Sequence, residues 1–135
     1  MIRTKTLAAA LVAASLGTAA VVTPAAAGGS LSISLAPASQ DQAHALRTGL
    51  TIYALANGIR NGSIRQFGSG NSGGLAQNGS GNLGIVHQEG HGHNGTIQQN
   101  GNGNAYGLFQ FGRNTSGSVV QNGNGHAGAT FQFGW

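Results

Sequence analysis

The chain contains no cysteine, two prolines and only two carboxylate side chains in 135 residues. Without cysteine, even an oxidising compartment supplies no disulfide staple. The two acids are Asp41 and Glu89, whereas glycoside hydrolysis draws on a carboxylate pair. No Ser-His-Asp context and no metal-ligand spacing of quality stands in for them. The chain does not read as an enzyme, and it calls for no cofactor. Lysine occurs once, at Lys5, and Arg47, Arg60, Arg65 and Arg113 are scattered. A nucleic-acid-binding face needs clustered bases, so no nucleic acid is expected as a partner.

Long apolar runs are also scarce. Arg3 and Lys5 precede an uncharged stretch at residues 7–22 that ends in Pro24 and Ala25-Ala26-Ala27. That layout is a secretory signal peptide, residues 1–27, with cleavage after Ala27. The stretch is Ala-rich and short for a membrane span. Export to the cell exterior is therefore expected. Four arginines against two acids then leave the mature chain a formal charge of only +2.

Residues 28–62 precede any regular pattern. Leu31, Ile33 and Leu35 alternate with serines, which suggests a strand that Pro37 stops. Residues 43–47 show no clear period. Residues 50–55 are rich in strand formers and end at Asn57-Gly58, which reads as a degenerate capping strand. The rest of this segment is expected to be partly disordered.

What the chain does have, from residue 63 to 135, is one repeated unit. Gln66, Gln77, Gln88, Gln99, Gln110, Gln121 and Gln132 recur every eleven residues. A glycine follows each two places later, and two places before stand Ile64, Leu75, Val86, Ile97, Leu108, Val119 and, as the exception, Thr130. Four places before each glutamine comes glycine again, except at Tyr106. These three positions share one parity, so a strand places them on one face. The restricted face should point inward and the variable one outward.

Gly-x-Gly-Asn stretches between the units accept positive φ at little steric cost. Each unit is thus one strand and one tight turn, and two units close a rung of 22 residues. Doubling is visible in the residue after each glutamine: Phe67, Glu89, Phe111 and Phe133 alternate with Asn78, Asn100 and Asn122. The predicted fold is all-β, a thin two-sheeted β-solenoid of amyloid-like character.

Stacked amides form ladders in which each side chain both donates and accepts. The terminal amides of one copy lack a partner that another copy would supply. Nor do proline or lysine blunt the edges after residue 63. Self-polymerisation is the function these residues point to.

The unit, standing as Gln66-Phe67-Gly68-Ser69-Gly70-Asn71-Ser72-Gly73-Gly74-Leu75-Ala76-Gln77, resembles the curlin repeat of bacterial curli fibre subunits. The resemblance covers residues 63–135 and implies a secreted, extracellular cross-β amyloid fibre for adhesion and biofilm matrix. It further implies unfolded export through an outer-membrane pore, a nucleator subunit as partner, and abiotic or host surfaces as the adhesion target. Carried over by position, the ladder residues are the seven glutamines with Asn71, Asn82 and Asn104. His93, Thr115 and His126 replace that asparagine elsewhere, and those turns are expected to stack less well.

Three other patterns have plainer explanations. Gly68-x-Gly70-x-x-Gly73 matches a dinucleotide fingerprint but no helix follows. The Asn-x-Ser/Thr triplets arise from turn composition. His87, His91 and His93 are read as solvated histidines rather than a metal site. Phe67, Phe109, Phe111, Phe131 and Phe133 fall on the outside of one sheet. An exposed aromatic strip marks a contact surface, here for lateral association of filaments; cross-strand stabilisation is the competing account. A monomeric β-solenoid binding glycans or surfaces is the alternative function.

Overall fold

The computed structural model describes residues 19–22 and 29–135. Most of the expected signal peptide lies outside the described residues. Its residues 19–22 form β1 (Ala19–Val22), antiparallel to β2 (Ser30–Ala36). Next comes α1 (Gln40–Ala56), and then seven strands: β3 (Gly62–Ser69), β4 (Ser72–Asn78), β5 (Leu83–His91), β6 (Asn94–Asn100), β7 (Ala105–Arg113), β8 (Ser116–Asn122) and β9 (Ala127–Gly134).

The seven strands wind as a β-solenoid. β3, β5, β7 and β9 build a first parallel sheet and β4, β6 and β8 a second. Register follows the glutamines: Gln66 pairs with Gln88, Gln88 with Gln110 and Gln110 with Gln132 in the first sheet. Gln77, Gln99 and Gln121 align in the second. A one-residue slip would turn every inward side chain outward, so the buried glutamines pin the register.

Between the sheets lies a narrow core in which Val86, Ile97, Leu108, Gln88, Gln99 and Gln110 are almost wholly buried. Leu75 and Val119 are half-buried beside them, and Ile64, on the first rung, is 41% exposed. The glycine column exists because the opposite sheet fills its space. A Cβ on Gly84 would come within 2.4 Å of Leu75 Cδ1, and one on Gly95 within 2.6 Å of Gln110 Oε1.

The N-terminal segment departs from expectation. Residues 50–55 are not a strand; they are the last part of α1. Ser39 caps the helix by accepting from the Gln42 amide, Gln42 Oε1 accepts from the Ala38 amide, and Asp41 sits in the first turn. Leu46, Leu50 and Ala54, four residues apart, form the buried stripe. Ile52 and Leu55, which made the stretch look strand-like, face solvent. Nor are residues 30–56 irregular: β2 forms as the alternation predicts, and it pairs antiparallel with β9. Leu31, Ile33 and Leu35 then extend the outer face of the first sheet beneath α1, in a cluster with Leu46 and Ala129. A second, separate core therefore lies outside the solenoid.

Candidate functional site

The amide ladder has a direction. Gln66 Nε2 donates to Gln88 Oε1 (2.7 Å), Gln88 to Gln110 (2.8 Å) and Gln110 to Gln132 (2.7 Å). Across the core, Gln77 donates to Gln99 (2.9 Å) and Gln99 to Gln121 (2.8 Å). Each Nε2 from Gln77 to Gln132 also donates to a backbone carbonyl sixteen residues earlier, for instance Gln99 to Leu83 at 3.0 Å and Gln110 to Asn94 at 2.9 Å. All seven amides are thereby drawn together into two columns. At the first rung, Gln66 and Gln77 donate to the next glutamines, and among the described residues no glutamine donates to their own carbonyls. At the last, Ser32 of β2 stands in register beyond Gln132, and among the described residues no strand lies beyond Gln121 on β8.

The turn asparagines work differently from a side-chain ladder. Asn82 Oδ1 accepts from the Asn104 amide (2.9 Å), while Asn82 Nδ2 donates to the Gly101 carbonyl (2.9 Å). Asn71 and Asn104 repeat this bonding with the amides of His93 and His126 and the carbonyls of Gly90 and Gly123. Each one stitches a turn to the backbone of the next rung.

His93 continues the Asn71 column: Nδ1 lies 2.8 Å from Thr115 Oγ1, and Nε2 lies 3.2 Å from the Glu89 carbonyl. It is buried rather than solvated as expected. The three histidines do not converge, since His87 meets the Tyr53 hydroxyl at 3.1 Å and His91 meets Ser69 at 2.9 Å.

Burial holds the His93 imidazole below the ordinary histidine range, with backbone carbonyls partly opposing it. Protonation is therefore harder folded than unfolded. Stability is fully present above about pH 6.5 and falls as pH drops below it, because the unfolded chain gains a proton the folded one resists. Between about pH 7.5 and about pH 5 the melting temperature should fall further in wild type than in His93→Asn, which restores the repeat residue. Parallel falls in thermal melts would remove His93 from the account.

The aromatic strip is not an open surface. α1 lies across it: Tyr53 meets Phe109 edge to face at 5.4 Å between centroids, and Phe109 and Phe133 are buried. Phe109 stacks on Phe131 at 4.9 Å and Phe111 on Phe133 at 5.4 Å. Only Phe67, at the first rung, is half exposed. Lateral filament contact through Phe109 and Phe133 is thus blocked in this state. Their outward parity was legible in the sequence; the helix above them was not. Its signals were the Ser39-x-x-Gln42 capping box and the Leu46, Leu50, Ala54 spacing.

The same burial pushes the Tyr53 phenol up, opposed by Arg65. Among the described residues no strand pairs with the outer edges of β3, β4 or β8. Compared with family models, curated proteins and solved structures, the chain matches none.

Proposed function

We propose that this protein is a secreted structural subunit that stacks end to end into a curlin-like cross-β fibre for adhesion and matrix building. One observation carries the reading: the ladder ends are complementary. At the first rung no glutamine donates to the Gln66 and Gln77 carbonyls, and β3 and β4 have edges without a partner strand among the described residues. Glutamine amides end the ladder at the last rung. A second copy supplies partners to the first rung and to β8 and continues the backbone pairing there; the edge of β9 carries β2. Gln121 is buried at the last rung, and an unmade hydrogen bond of a buried group costs about 1–3 kcal/mol.

Four repeat strands in one sheet and three in the other give an odd total of seven. Winding on past β9 leads into the second sheet. An incoming copy in register therefore lays its β3 on β8 and its β4 on β9, half-turned about the fibre axis. Each copy adds roughly 17 Å at ~4.8 Å per rung. The alternative of a glycan binder would use the aromatic strip, which α1 covers.

Fibre diffraction of residues 28–135 should give a meridional reflection near 4.7–4.8 Å. Ile64→Lys, a charge on the exposed first rung, should slow growth and leave the monomer's circular dichroism unchanged. A wild-type chain that stays monomeric in size exclusion, without such a reflection, defeats the reading.

A further inference from the structure

The end that an incoming copy would meet is partly occupied. β2 lies antiparallel along β9, with Ser30 opposite Gly134 and Leu35 opposite Ala129. That is the edge an incoming β4 needs. β8, its counterpart in the second sheet, has no strand on its outer edge among the described residues. The mismatch leaves an open groove of about 460 Å³ above β8, lined by Ser34, Tyr106, Leu108, Val119 and Gln132 among others.

We propose that residues 30–56 are a removable cap, which holds this end closed to a second copy until it leaves. The inference rests on the end-to-end reading above. With the cap in place the groove can receive one strand on β8. Its successor, half a rung further on, meets β2. Growth stops there.

Two features mark β2 as a terminator rather than another rung. It runs against the direction of the parallel strands, and its inward side chains are Ser32 and Ser34 in place of a glutamine and an apolar residue. The repeat also breaks its own pattern at this joint. Thr130 replaces the apolar residue and Tyr106 the glycine, the single exceptions in their columns. Ser34 Oγ lies 3.0 Å from Thr130 Oγ1, which lies 2.6 Å from the Tyr106 hydroxyl. The Tyr106 ring fills the space over Gly128, where a Cβ would come within 2.4 Å of Cε2. The departures thus form one hydrogen-bonded group with the cap. Leu46 of α1 packs on Leu31, Ile33 and Leu35 of β2 from outside, while Leu50 and Ala54 anchor the helix on Ile85, Ala105 and Phe109.

A reversible lock tests this in the full mature chain. Ser34 and Thr130 are directly opposed, and the protein has no native cysteine to interfere. Ser34→Cys with Thr130→Cys should form a disulfide, since antiparallel neighbours fall in the required Cα range. Oxidised, the pair should lengthen seeded fibres at least about tenfold more slowly than after reduction, a ratio that reports how completely the cap is held. Ile33→Asp, which loosens the arm, should shorten the lag relative to wild type. Equal growth by oxidised and reduced chains, or an Ile33→Asp lag no shorter than wild type's, overturns the cap while assembly stands. If no chain forms fibres in any state, the assembly reading itself fails, and the cap falls with it.

Discussion

Gly101→Ala should unfold the solenoid or leave it barely stable. Gly101 sits two residues after Gln99 at φ +118°, outside the left-handed well that other residues sometimes occupy. A Cβ there would lie 1.9 Å from the Gly123 carbonyl oxygen and 2.8 Å from its carbon. Both atoms belong to the backbone of the next rung, so no rotamer change relieves the clash. Strained backbone alone costs about 1–3 kcal/mol, and parting two paired strands adds lost hydrogen bonds. Gly125→Ala is the control: φ is +72° and nothing lies within 4 Å of the added carbon, so only about 1–2 kcal/mol of left-handed strain is expected. Urea unfolding of the two variants side by side decides it. Equal midpoints would mean that the Gln-x-Gly spacing does not reflect contact between rungs.

Gln99→Leu should be nearly as damaging, although leucine fills similar space. Gln99 is fully buried and makes three bonds, accepting from Gln77 and donating to Gln121 and to the Leu83 carbonyl. Removing it strips bonding partners from three groups at the centre of the ladder. At about 1–3 kcal/mol for each group left unsatisfied, the loss is on the order of 3 kcal/mol or more. Gln66→Leu, at the exposed end, strips a partner from one group only, Gln88 Oε1, and should cost about 1–3 kcal/mol, less than Gln99→Leu. A flat response along the ladder in chemical denaturation would show that the amides set register without adding stability.

Much of the architecture was legible because every rung repeats the same local problem. Two-residue parity distinguished the faces, and the residue after each glutamine separated the sheets. His93 shows where such reading stops. As a substituted turn residue it looked solvated, yet the spacing of 22 brings it onto Thr115 and Asn71, where its ring nitrogens take over the asparagine's bonding. A repeat tolerates exchange at a position when the newcomer can reach the same backbone groups.

From residue 63 onward, the eleven-residue period by itself determined strand, turn, register and inward face, because each unit's nearest partners are copies of itself at constant separation. Only the tertiary structure decided what residues 30–56 become. Ser34 meets Thr130 across 96 positions of chain, and Leu50 finds its partners on Ile85 and Phe109. Nothing periodic announces contacts of that kind. They depend on which outer face is apolar enough to be covered, and on which sheet edge the winding leaves free.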